Sequence, residues 1–100
     1  MPQVKVRLNC WLSQGLDADS SNFEEIRISV LEGESVLGLV RRLAAQNGVF
    51  RRAILNEKGE ENLSNIVVIL NGRIVDLDGR VGTVFKEGDE VTFLPMLYGG

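Results

Sequence analysis

Few groups in this chain have the capacity for chemistry. There is one thiol, at Cys10, no histidine at all, and a carboxylate at Gly100 that follows the run Glu90-Val-Thr-Phe-Leu-Pro-Met-Leu-Tyr-Gly99-Gly100. A β-branched and aromatic run bounded by Gly88-Asp89 predicts a strand that closes at Pro95, which cannot donate to a ladder. Extended at ~3.3–3.6 Å per residue, the segment from Pro95 to Gly100 would place the carboxylate roughly 20 Å beyond the strand. Gly99 and Gly100 lack a Cβ, so their backbone can approach the groove of another protein closely. A frayed end is the commoner meaning of terminal glycines. Met96, Leu97 and Tyr98, however, are more hydrophobic than a disordered tail usually is. The expected reactive group is the carboxylate of Gly100. At neutral pH it is ionised and a poor electrophile, so it would need conversion to a derivative with a better leaving group.

The remaining composition excludes other chemistry. A single cysteine builds no disulfide framework, no zinc site and no four-thiolate cluster. Without histidine the usual nucleophile and imidazole pair cannot form, and no Ser or Thr sits in a nucleophile motif. Cys10 lies in phase with Val4, Val6 and Leu8, which predicts an inert thiol packed in the core. A net charge of −3 without a basic cluster of nucleic-acid type argues against nucleic acid. Apolar residues make up 44%, and no run approaches the ~18 residues of a membrane span. The start Met1-Pro-Gln-Val-Lys lacks a signal-peptide layout, so a cytoplasmic location is expected.

The elements that must position the tail follow from periodicity. Alternation over residues 3 to 11 predicts a first strand, with Lys5, Arg7, Asn9 and Trp11 on its outer face. Leu12 to Asn22 is turn chemistry, and Phe23 to Leu31 resumes alternation with Ile26, Ile28 and Val30 inward. Ser35 is a helix N-cap, followed by an apolar stripe at Val36, Leu39, Val40, Leu43 and Ala44 and a stop at Gly48. Gly38 would serve a close helix-to-sheet approach. Arg41, Arg42, Arg51 and Arg52 read as a solvated basic surface. Residues 49 to 65 suggest a helical turn or short extended piece around Phe50, Ala53, Ile54 and Leu55. Ile66 to Leu70 is a strand with apolar residues on both faces, Asn71-Gly72 is a hairpin turn, and Val81 and Val84 anchor a loop before the last strand.

The order β-β-α-β-(β)-β can bury the helix stripe only against the sheet. Together with Asn71-Gly-Arg-Ile-Val, Gly88-Asp-Glu-Val-Thr-Phe-Leu-Pro and the terminal Gly99-Gly100, it resembles the ubiquitin-like sulfur carriers, most of all the small subunit of molybdopterin synthase. The long segment between Leu12 and Asn22 departs from the shorter members of that family. The resemblance implies an α+β fold, a ubiquitin-like β-grasp with a mixed four- to five-stranded sheet on one main helix, spanning residues 1–95 with a flexible tail at 96–100. It places the last strand parallel to the first at the sheet centre.

It also implies a mechanism. An E1-like adenylating partner would use ATP to form the acyl-adenylate of Gly100, and a persulfide donor would convert this to a thiocarboxylate. A molybdopterin synthase large subunit, or another sulfur-accepting enzyme, would receive the tail. The chain itself would be a carrier rather than an enzyme, with no bound cofactor or metal and no nucleic-acid or membrane partner. Carriage of sulfur to thiamine or cysteine synthesis, or attachment to lysines as a protein modifier, uses the same tail. Expected partner contacts are Leu94, Pro95, Met96, Leu97 and Tyr98, because Leu94 alternates away from the core positions Val91 and Phe93 onto an open sheet face.

Overall fold

The computed structural model describes residues 2–14, 22–55, 58–60, 66–75 and 84–95. The elements in chain order are β1 (Gln3–Asn9), α1 (Cys10–Ser13), β2 (Phe23–Ser29), α2 (Val36–Gln46), α3 (Gly48–Ala53), β3 (Ile66–Leu70), β4 (Arg73–Val75) and β5 (Glu90–Pro95). The sheet order is β2-β1-β5-β3-β4. β5 lies at its centre, parallel to β1 with Val6 beside Val91, and antiparallel to β3 with Val68 beside Phe93. This is the expected β-grasp.

Alternation on β1, β5 and β3 sends Val4, Val6, Leu8, Val91, Phe93, Ile66 and Val68 to one face. There they meet the stripe of α2, whose Val36, Leu39, Val40 and Leu43 are all buried. Phe50 of α3 closes the layer, its ring edge-to-face with Phe93 at 5.8 Å. Such geometry adds to what the two rings gain from burial. Ser35 caps α2 as expected, its Oγ accepting from the Gly38 N–H at 3.0 Å. Asn71 (φ 51°) and Gly72 (φ 85°) make the left-handed pair that a two-residue hairpin needs.

Several expectations are corrected. β1 ends at Asn9 rather than at residue 11, and Cys10–Ser13 wind into α1. Asn9, paired with Phe23, keeps to the outer face but is covered there. It is 1% exposed, and its Oδ1 accepts from the Trp11 N–H at 3.0 Å, starting the turn. The spacing of Leu8, Cys10 and Leu12 is that of a strand, and the Asn9 cap overrides it in favour of the helix. Cys10 is buried as expected, but from a helix.

Gly48 does not stop α2. Asn47 does, in extended conformation, and its Oδ1 accepts from Val49 and Phe50 N–H so that α3 begins at once. A Cβ on Gly38 would meet Ser35 Oγ at 3.4 Å and Glu34 Cγ at 3.5 Å, so that glycine abuts the cap and not the sheet. Val84 is exposed and bridges Ser35, and the buried anchor of that loop is its neighbour Phe85. Val81 lies outside the described residues.

Candidate functional site

The site is built around the end of β5, and the start of that strand is held firmly. Asn71 donates its backbone N–H to the Glu90 carbonyl at 2.8 Å and accepts on Oδ1 from the Glu90 N–H at 2.9 Å. Its Nδ2 donates to Asp89 Oδ1 at 2.9 Å, while Asp89 Oδ2 accepts from the Lys86 N–H at 2.7 Å. The β3–β4 turn and the turn before β5 are thereby tied together, which fixes the register of the strand that leads to the tail. Each such bond contributes on the order of 1 kcal/mol net.

The other end of β5 is Pro95, paired with Ile66. From the Lys5 N–H donating to the Asp89 carbonyl at 2.9 Å, alternation turns the odd residues of β5 toward β1. The nitrogen of Pro95, which carries no hydrogen, therefore faces Asn9, the last residue of β1 and the cap of α1. A proline at the end of a central strand removes at most the last bond of the ladder. Pro95, expected to touch a partner, has its side chain buried on the core side opposite Ile66.

Leu94 is half-buried on the open face, opposite Val67. Ile69 stands opposite Thr92, and Ile74 opposite Ile69. Ile74 is 78% exposed. The open face across β5, β3 and β4 is thus an apolar patch made of Leu94, Val67, Ile69 and Ile74. Val67 and Ile69 are half-buried like Leu94, and a contiguous apolar patch with an exposed member is a candidate binding surface. Val67, Ile69 and Ile74 were not singled out from sequence, although the run Ile66–Leu70 carries apolar residues at every position and so signals a second covered face. Met96, Leu97, Tyr98, Gly99 and Gly100 lie outside the described residues.

Cys10 is buried on α1, and Arg42 of the basic group spans Glu34 and the backbone of Ser29. Among the described residues no helix is long and apolar enough to cross a membrane, and no acid, cysteine or histidine cluster could hold a metal ion.

The sequence profile of the ThiS family matches residues 17–100, which include the whole of β2 to β5 and the terminal glycines. The chain belongs to the ThiS family. Its place among the ubiquitin-like sulfur carriers and modifiers, read from the tail and the element order, stands at that level. A search of the curated proteins finds no significant match.

Solved structures share the fold over nearly the whole length. SAMP1 from Haloferax volcanii superposes with a TM-score of 0.69 at 20% identity, covering 98% of this chain and 99% of its own. The small archaeal modifier protein 1 of Methanosarcina acetivorans gives 0.65 at 26% identity, covering 100% and 98%. A putative molybdopterin converting factor subunit 1 from Pyrococcus furiosus gives 0.65 at 23%, covering 95% and 98%.

Proposed function

We propose that this ThiS-family chain is a cytoplasmic sulfur carrier whose Gly100 is adenylated, thiocarboxylated and used to donate sulfur in molybdopterin synthesis. The observation that carries the reading is the family match running through Gly99-Gly100, where the carboxylate stands on two residues without a Cβ. In the first step a carboxylate oxygen attacks the α-phosphorus of ATP and pyrophosphate leaves. In the second, a persulfide sulfur attacks the acyl carbon and AMP departs. Reductive cleavage of the resulting acyl disulfide by a thiol leaves sulfur on the tail and a disulfide on the donor side.

The chain's own contribution is positional. The Asn71 and Asp89 bonds hold β5, and the patch of Leu94, Val67, Ile69 and Ile74 offers an E1-like adenylating enzyme and a synthase large subunit a surface beside the strand end. Neither activity requires a cofactor on this chain, and it acts as a co-substrate, not as an enzyme. Burial of Cys10 supports a packing role for the thiol.

A second reading, attachment to lysines as a protein modifier, is favoured by the full-length likeness to the small archaeal modifier protein of Methanosarcina acetivorans. It shares the adenylation step and differs in the nucleophile that follows.

Incubation with ATP, the adenylating enzyme and a sulfur donor, read by intact mass, tests the proposal. The expected product has one oxygen replaced by sulfur, and removal of Gly100 or extension beyond it abolishes pyrophosphate exchange while the fold persists. Exchange at the wild-type rate in the extended form would overturn the proposal. Conjugates to other proteins on gels, with no sulfur product, would establish the modifier reading in its place.

A further inference from the structure

Among the described residues the sheet has two outer strands, β2 and β4, and of these β2 offers the longer edge. It runs seven residues, Phe-Glu-Glu-Ile-Arg-Ile-Ser, with neither proline nor glycine, whereas β4 has three. In an antiparallel ladder alternate residues turn their N–H and C=O to the same side. Two bonds fix the side that faces β1: the Val30 N–H donates to the Pro2 carbonyl at 2.9 Å, and the Cys10 N–H to the Asn22 carbonyl at 3.0 Å. Even-numbered residues of β2 therefore face β1, and Phe23, Glu25, Arg27 and Ser29 turn their backbone groups outward. Arg42 Nη2 donates to the Ser29 carbonyl at 2.8 Å and closes that end. Among the described residues Phe23 to Arg27 is left as an edge of the kind that accepts another strand.

The side chains on this edge select the occupant. We propose that β2 pairs antiparallel with β2 of a second copy of the chain, with Ile26 on the two-fold axis, to give one continuous ten-stranded sheet from two five-stranded ones. In this register Glu25 faces Arg27 of the second copy and Arg27 faces its Glu25, so two opposite-charge pairs form at directly opposed positions. Moving the axis to Glu25 or to Arg27 sets like charges against each other, which is destabilising. Moving it to Glu24 opposes two glutamates, and moving it to Ile28 shifts the pairing onto the carbonyl that Arg42 already holds. Only the Ile26 register satisfies both charge and backbone.

Two further features agree. Within one copy, Arg27 sits directly opposite Lys5 on β1, a like charge, and Glu25 of the second copy supplies the opposite charge on its other side. On the core side, Ile26 and Ile28 are only partly buried at the margin of the core, and Ile26 would meet its own copy at the closest-spaced kind of strand pair. About six inter-copy backbone bonds would form once the Ser29 carbonyl is discounted. The contact is small, so the association is weak and is seen at high protein concentration. It is independent of the tail chemistry, because β5 and the apolar patch lie on the other side of β1.

Sedimentation of the full chain over a concentration series is the test. The expected result is a shift from 11.0 kDa toward twice that mass. Glu25→Arg and Arg27→Glu, each alone, place like charges at both contacts and weaken association by on the order of tenfold or more. An equimolar mixture of the two variants restores it, because the guanidinium brought by one faces the carboxylate brought by the other. Amide exchange in the wild-type chain gives a check free of substitutions: protection of the Glu25 and Arg27 amides rises with concentration. A wild-type chain that stays monomeric near millimolar concentration, single variants that still dimerise, or a mixture that fails to recover would each overturn the proposal.

Discussion

The same five strands present two faces governed by different demands. Toward the helices, Val4, Val6, Leu8, Val68, Val91 and Phe93 of the inner strands are buried, and Ile26, Ile28, Leu70 and Val75 beside them are partly so. The open face is divided. Across β2 and β1 it is charged, with Lys5 Nζ 3.3 Å from Glu25 and 3.9 Å from Glu90, and the Arg7 guanidinium 4.7 Å from the centroid of Phe23. Across β5, β3 and β4 it is apolar, through Leu94, Val67, Ile69 and Ile74. The row Arg7, Thr92, Ile69, Ile74 crosses from one kind to the other within four neighbouring strands. The covered face is constrained by packing, where a lost methylene is felt at once. The uncovered face is free to carry recognition, and its polarity reports what meets it.

Substitutions on each face should sharpen that contrast. Phe93→Ala removes a fully buried ring and its contact with Phe50, and should cost about 3–5 kcal/mol in denaturant unfolding. A loss below about 1 kcal/mol would break the distinction between the faces. Cys10→Ser, at a buried position of α1, should cost roughly 1–3 kcal/mol while leaving thiocarboxylate formation intact, as read by intact mass. Failure of a folded Cys10→Ser chain to accept sulfur would assign the thiol a part in transfer.

On the apolar half of the open face, Leu94→Asp should change stability by less than about 1 kcal/mol yet markedly weaken calorimetric binding to the adenylating enzyme. A large fall in melting temperature with unchanged affinity would move Leu94 into the fold. On the charged half, Lys5→Ala should cost only about 0–1 kcal/mol, less at high salt, since both of its ion pairs are solvent-exposed.

Much of this was legible in local sequence. Alternation identified the inward residues of β1, β2 and β5, Ser35 announced α2, and Asn71-Gly72 announced the hairpin, because each signal lies within a few residues of the backbone it shapes. Membership of the ThiS family was legible for the same reason, as the terminal Gly99-Gly100 that the family match includes needs no fold to be recognised. Where two local signals competed, sequence misled. Gly48 offered a helix stop, but the Asn47 side chain capped the following helix first, and the alternation through Cys10 gave way to the Asn9 cap.

Other features could come only from the tertiary structure. The parallel pairing of β1 with β5 joins residues about as far apart as Gln3 and Glu87, whose side chain accepts from the Gln3 N–H at 3.2 Å. Such pairing depends on how every intervening element packs, and no short window contains it. Nor does a window contain the open-face patch. Leu94, Val67 and Ile74 lie on three strands, and the order β5-β3-β4 alone makes them neighbours. Residue type decided which side chains seek cover. The order of the strands decided which of them found it, and which were left together on the surface.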